Sequence, residues 1–591
     1  MPERLRKVLP LGVLGSLLAV LIAGVVPAQE PIPLKQPDPV PAPLPVPGQP
    51  AAPAQPAQGD GTEVLAKGPV HEAFASTAEA PAATPVVAKQ PPDPIEELPP
   101  DQKPEGDNVQ WLSGYWHWDE ESSQFIWISG FWRQPPPGRV WVPGSWREAK
   151  GGWQWVPGFW QPVSAPQPQQ PQQQPEVEYL PEPPASVEVG PTVVAPNATS
   201  LYVPGSWVWR GRYVWRPGVW VEYRPTWVWV PARFQWTPAG YVFIEGYWDY
   251  PLGTRGVMFA PVTFPRAVYV QPGFVYTPVY VVSEPCMVGA LFVRRGHVCY
   301  YFGDYYDGAY ATAGYTAWCG TYTRTGFTVG FGVGRGWGYD PLWSYYSVTY
   351  RNTPGWHRGM GDLYTGRYRG EIARPPVTLV QQNTTINVIS KTTVVNVTNN
   401  VTVVNGATIV NNKDVSHVTM VAPLKVAPDL QRTKYQPVTV EARRAAVVQA
   451  KQLNEVSVQR TRQETALVAQ RPAAGPVQPR TAKLDVPRAA VAQAHVIDEK
   501  KAPPPTPHQA GAAVHPKVDL PHAQTLQGDK GQVVLPKSDP HTDMTKIDPK
   551  APHTTLPKTD TKGPLPKLPL PKGPQGAPPP KEHSKSEPGK P

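Results

Sequence analysis

Cysteine is scarce in this chain, three in 591 residues, too few for a disulfide scaffold. Charge is thin as well, at 17% of residues against about 25% in ordinary globular proteins. Only one long apolar run exists, at the N-terminus, which excludes a multi-span membrane protein. No G-K-[ST] phosphate loop, G-x-S-x-G, H-E-x-x-H or EF-hand loop is present. Such a sequence does not describe an α/β enzyme, and it reads as non-enzymatic, with no cofactor or metal. What it has instead is 81 prolines, 50 glycines and 22 tryptophans. That much Pro and Gly keeps a large part of the chain out of any packed core.

The apolar run has the three parts of a secretory signal. Arg4, Arg6 and Lys7 precede Leu11 to Val26, and Val26-Pro27-Ala28 supplies small residues for cleavage before Gln29. Residues 1–28 are therefore expected to be a signal peptide, with the periplasm, the cell surface or release as destinations. The alternative is an uncleaved N-terminal anchor, since Val8 to Val26 approaches the shortest spanning length. A formal net charge of +9 favours anionic envelope polymers over nucleic acid outside the cytoplasm.

The aromatics repeat. W-x-x-G-x-W runs from Trp111 to Trp116, Trp127 to Trp132, Trp141 to Trp146 and Trp155 to Trp160. A more worn set runs from Tyr202 to Trp207, Trp215 to Trp220, Trp229 to Phe234 and Phe243 to Trp248. Aromatics at i, i+2 share one face of a strand, and Glu120 to Ser123, Lys150 to Gly152 and Arg210 to Arg212 read as loops between strands. The Val142-Pro143-Gly144-Ser145 step suits a type II turn, which would make Trp141 and Trp146 a cross-strand pair. Type II turns splay strands, so a kink at the strand edge is the alternative. The predicted fold is all-β, with antiparallel meander or hairpin repeats of about 14 residues in two blocks.

The blocks span 107–162 and 197–250. A Pro/Ala-rich spacer at 29–106, a Pro/Gln-rich linker at 163–196 and a basic Pro/Lys/His-rich tail at 471–591 are expected to be disordered. Tyr/Gly-rich β structure is expected at 251–375, including a Gly-lined strand from Val329 to Tyr339, and Val/Thr/Asn-rich strands at 376–424, where Asn405-Gly406 signals a hairpin. A stretch without Pro or Gly, within 436–470, predicts one C-terminal helix, with Leu453, Val456 and Leu467 on a side.

The units Trp111-Leu112-Ser113-Gly114-Tyr115-Trp116 and Trp155-Val156-Pro157-Gly158-Phe159-Trp160 resemble the bacterial repeat proteins named YXWGXW or WXXGXW. The likeness covers about 107–160 clearly and 201–248 with decay, where Ala232 and Phe234 depart from the pattern. It implies an exported envelope protein with a β-rich repeat and carries over no catalytic residue.

Little chemistry competes with the rings. Asp304 and Asp307 are flanked by glycines and read as turn residues. His297 and Cys299, two apart on a strand, are neighbours on one face. A hydrolase using Asp304, His297 or Glu245 is a remote third reading. Of Cys286, Cys299 and Cys319, one pair is expected to bridge in an oxidising compartment; a zinc site of these with His297 lacks the tight C-x-x-C spacing. Trp116, Trp118, Trp127, Trp153, Trp155, Trp207, Trp209 and Trp215 form the candidate ligand-binding aromatic face. Either these rings are sheet core, in a structural scaffold or envelope-associating module whose partners are envelope proteins, or some are exposed and bind envelope polysaccharide or peptidoglycan.

Overall fold

The repeat units pair two by two into four long hairpins. In the first, Trp111 lies opposite Trp132 and Trp116 opposite Trp127. In the second, Trp141 faces Trp160 and Trp146 faces Trp155. In the third, Tyr202 faces Trp220 and Trp207 faces Trp215. In the fourth, Trp229 faces Trp248 and Phe234 faces Phe243. Each hairpin is broken at the glycine step into two short ladders that belong to different sheets.

The x-P-G step is thus a kink within a hairpin arm and does not close a turn. A type II turn needs positive φ at its glycine, and none of the repeat glycines has it, whereas Ser123, Gly151 and Gly211 at the hairpin tips do. Trp141 and Trp146 consequently pair with residues of the next unit and not with each other. A single meander sheet per block gives way to separate kinked hairpins.

Why glycine stands at the kink follows from what surrounds it. A Cβ at Gly114 would lie closer than 3.0 Å to the Trp127 ring, and at Gly130 to the Trp111 ring. The same holds for Gly144 under Trp155, Gly158 under Trp141, Gly205 under Trp215, Gly218 under Tyr202 and Gly246 under Trp229. The first aromatic of each unit therefore occupies the space that a side chain on the partner unit's glycine would need. The crossed ring pairs pack edge-to-face or tilted, with centroids 5.0 to 5.7 Å apart, as at Phe234–Phe243 and Trp146–Trp155. Where glycine is replaced, at Ala232, the ring that the pattern sets over it is Phe243, smaller than indole.

The computed structural model describes residues 61–79, 82–106, 108–165, 173–323, 326–329, 339–384, 401–404, 407–410, 419–426, 433–470 and 478–496, with four more between 503 and 507. The signal peptide, residues 330–338 of the Gly-lined strand and Asn405-Gly406 lie outside them. The chain divides into units 1–517 and 518–591, and the second is outside the described residues. Strands in small antiparallel sheets dominate, with few helices.

Several low-complexity segments prove to be folded. The spacer expected to be disordered at 29–106 is built into the sheets from about Gly61 onward. Gly68 and Pro69 pair with Phe302 and Tyr301, and Val86 and Val87 extend the second hairpin. Its residues Ala66, Val70, Ala73 and Phe74 are buried in the main core. In the linker at 163–196, Glu176–Leu180 pairs on one side with the fourth hairpin and on the other with Arg480–Lys483 of the tail. The region 251–375 holds helices Pro341–Thr349 and Trp356–Arg369 as well as strands. Val440–Ala469 is a 30-residue helix capped by Thr439, with Leu453 and Val456 buried. No helix among the described residues is long and apolar enough to cross a membrane.

The two blocks pack together through a buried ionic junction. Arg133 of the first hairpin donates two bonds of 2.7 Å to Asp249 at the end of the fourth. Arg255 lies 3.2 Å from the same carboxylate. Spare donors reach back to the former spacer: Arg133 Nε bonds the Ala73 carbonyl and Arg255 Nη1 that of Phe74. Removing the shared carboxylate would leave two buried guanidinium groups uncompensated.

The kink geometry makes a contrast that can be measured. Gly158→Ala must push a Cβ into the Trp141 ring and is expected to cost about 1–3 kcal/mol or more. Gly308→Ala, at a helix start with open space around it, is expected to be neutral or slightly stabilising, by up to about 1 kcal/mol. Urea denaturation of the two variants checks this, and equal midpoints would refute the ring-over-glycine account.

Candidate functional site

Each of the first three hairpins is held by a glutamate from outside it. Glu97 accepts the backbone N–H of Gly114 at 2.8 Å and of Gly130 at 2.9 Å, and the Trp127 indole N–H at 2.8 Å. Glu72 accepts the Gly158 N–H at 2.8 Å and the Trp155 indole at 2.7 Å. Glu188 accepts the Gly205 N–H at 2.5 Å and the Tyr202 hydroxyl at 3.1 Å. The kink leaves glycine N–H groups without ladder partners, and one carboxylate satisfies them together with the ring above. For the fourth hairpin no such carboxylate bond is present among the described residues, and the buried Trp229 indole N–H is unpartnered. Burial pushes Glu72 and Glu97 up to about 7, against the opposing pull of these donors.

Between the first two hairpins a small cavity of about 60 Å³ brings together Glu72, His117, His297 and Cys299. Sequence spacing could not place His117 or Glu72 beside the His297–Cys299 pair. The electrostatics oppose nucleophilic chemistry there. Burial raises the Cys299 thiol to about 12 and lowers His117 to about 4 and His297 to about 3, so thiol and imidazoles stay neutral. His71 is neutral by the same cause, lowered to about 4. Its Nδ1 accepts the Ala73 N–H and its Nε2 faces the Ser113 carbonyl, which assigns the proton to Nε2.

All three cysteines are buried and none is in a disulfide, so the expected bridge is absent. Cys286 sits in the helix Glu284–Val288, whereas Cys299 and Cys319 lie on separate strand-flanking segments. The carboxylates named for a hydrolase are scattered: Asp307 pairs with Arg374 at 2.6 Å, with Asp304 3.9 Å away, and Glu245 pairs with Arg216 at 2.6 Å.

The eight candidate rings divide. Trp116 and Trp127 are buried and belong to the core, so they are removed from the aromatic face. They pack edge-to-face on each other, and their N–H groups are spent on the Asp93 carbonyl and the Glu97 carboxylate. Trp118, Trp153 and Trp155 are half-buried, and so are Trp207, Trp209 and Trp215. The last three lie in the third hairpin, and there both ladders keep their aromatics partly open to solvent. Its tip carries exposed Arg210 and Arg212.

Trp207 and Trp215 wall a cleft of about 490 Å³. Their centroids are 5.2 Å apart at 72°. Across the cleft lie Ser186, Glu79 and Arg233. Arg233 is buried with a single bond, 3.3 Å to the Ser76 hydroxyl, and its Nε and Nη1 have no partner. Burial raises Glu79 above the usual carboxylate range. Asp340 also lines the cleft, but both its oxygens are engaged, one capping the helix at Trp343 and the other accepting from Tyr300.

Comparison with family models, curated proteins and solved structures found no match to this chain.

The Glu97 clasp has a pH signature. Its folded value of about 7 lies above the ordinary 4.5, so the folded state keeps a proton that the unfolded chain has already lost. The stability it contributes is full below about 4.5 and is lost as pH rises through about 7. Glu97→Gln cannot titrate and leaves two of the N–H donors competing for one oxygen. It is expected to cost about 2–4 kcal/mol at pH 5. The gap to the wild type should narrow between pH 5 and 8, as read from urea midpoints. A gap that stays constant or widens would contradict the assignment.

Proposed function

We propose that this protein is a non-enzymatic, exported component of a bacterial cell envelope, a scaffold of kinked Trp hairpins that attaches to envelope saccharide through its third hairpin. Export rests on the charged, apolar and small-residue order of residues 1–28. The bacterial setting rests on the resemblance to YXWGXW repeat proteins. Scaffolding is supported by the way the repeats use their own rings, covering partner glycines and donating N–H groups to inserted glutamates.

One observation carries the attachment: aromatic rings are left half-exposed along the whole third hairpin, beside a cleft of about 490 Å³. An indole face stacks on the C–H surface of a sugar ring, and mixed donors and acceptors such as Arg233, Ser186 and Glu79 suit its hydroxyls. The arginines at the tip add attraction to anionic polymer. A glycosidase needs two suitably placed carboxyl groups. In this cleft Asp340 is committed to helix and tyrosine, and Glu188 to the hairpin clasp, which leaves Glu79 alone.

Intrinsic fluorescence of the full chain, titrated with soluble peptidoglycan and polysaccharide fragments, tests the reading. A saturable shift is expected, weakened about tenfold or more in Trp207→Ala. Trp153→Ala, in the second hairpin, should bind as the wild type does. A flat response from folded protein would sink the saccharide reading and leave envelope proteins as the partners.

A further inference from the structure

Three of the four hairpins carry a third strand on the same edge, that of the return arm next to the tip. In the first, Val262 pairs antiparallel with Trp127. In the second, Val86 and Val87 pair with Gln154 and Trp153, and in the fourth, Tyr179 and Leu180 pair with Val242 and Tyr241. The equivalent arm of the third hairpin, Tyr213–Arg216, belongs to a two-stranded ladder, and no described strand joins its outer edge.

The register fixes which groups that edge presents. The Arg210 N–H donates to the Arg212 carbonyl at 2.9 Å, so by alternation Val208 and Val214 also exchange their bonds inside the ladder. Tyr213 and Trp215 therefore turn their backbone N–H and C=O groups outward, where no other described segment bonds them. The neighbouring hairpin does not stand in for a strand. Phe125 meets Trp146 edge-to-face at 5.3 Å between the first and second hairpins, and Tyr213 meets Phe234 in the same way at 5.7 Å between the third and fourth. In the first hairpin that packing coexists with Val262 on the edge. The third repeats the packing and lacks the strand.

Charge decides the occupant. Arg216 and Arg224 are paired with Glu245 and Glu222, whereas Arg210 and Arg212 at the tip are exposed and form no ion pair among the described residues. A second copy of the chain fits poorly, because two such arms in antiparallel register would set Arg212 of each against the Arg216 end of the other. The strand that fits is acidic. Glu176–Leu180, on the fourth hairpin, shows the type: Val177 and Tyr179 are buried while Glu176 and Glu178 face solvent.

We propose that the outer edge of Tyr213–Arg216 accepts an extended acidic segment of another protein as a third strand, with main-chain bonds at Tyr213 and Trp215 and carboxylates at Arg210 and Arg212. An unpaired edge is a template for such strand addition. It lies in the plane of the ladder, apart from the ring faces at the cleft, so this docking does not depend on saccharide binding.

The chain's own segment Pro175 to Pro181, Pro-Glu-Val-Glu-Tyr-Leu-Pro, made as a capped and dye-labelled peptide, is the probe. Fluorescence anisotropy with the full chain should show saturable binding that added salt weakens. Amide hydrogen exchange over residues 212–216 should slow in the complex. N-methylation of the peptide at Val177 and Glu178, which removes one donor from each of its edges, should abolish binding. Arg210→Glu/Arg212→Glu should weaken it about tenfold or more with an unchanged melting temperature. No saturable binding into the millimolar range would overturn the proposal. So would equal binding of the N-methylated peptide, exchange protection that leaves out 212–216, or unchanged affinity in the folded double variant.

Discussion

An indole needs somewhere to lie, and in this protein it lies where a β-carbon would otherwise be. That steric exchange fixes the spacing of the repeat. The first ring of one unit covers the glycine of its partner, and the partner's ring returns the arrangement, so two units are the smallest set that satisfies both. A glycine so covered stands at a break in the ladder, and in three of the four hairpins a carboxylate is brought to it. Hairpin pairing, kink and inserted glutamate are three consequences of one contact.

The amino-acid sequence displays part of this arrangement and conceals the rest. Alternating aromatics around Trp116 and Trp153 advertise strands, because the signal is local and repeated. The partner of each Trp is hidden, since the kink and the type II turn share the same x-P-G letters; only the φ of the glycine distinguishes them. The glutamates are harder still. Glu97 stands between a run of apolar and proline residues that reads as spacer, and Glu72 lies 86 positions before the glycine it holds. A buried carboxylate whose partners are backbone N–H groups leaves no pattern in sequence. The cleft beside Trp207 was half legible: its rings could be named, whereas Arg233 reaches it only through the packing of the fourth hairpin against the former spacer.

The four hairpins also show how one motif is used in two ways. In the first, second and fourth, neighbouring segments cover most of the motif rings, and Trp111, Trp141, Trp160 and Trp229 become core. The strip from Pro183 to Val194 beside the third itself carries Val187, Val193 and Val194 into solvent, and the rings of that hairpin stay half-exposed.

The burial of residues 66–77 bears on the order in which the chain assembles. These residues leave the ribosome early, yet Val70 bonds the backbone of Tyr300 and Lys67 reaches Tyr310, 243 positions later. Tyr300 and Tyr310 do not exist until more than half of the polypeptide has been made. Contacts of such sequence separation make folding slow, and the Val70 backbone N–H lacks its partner in the interval. A segment synthesised early thus keeps one side open until the sheet that holds Tyr300 has been made, although its other side can meet the first two hairpins long before.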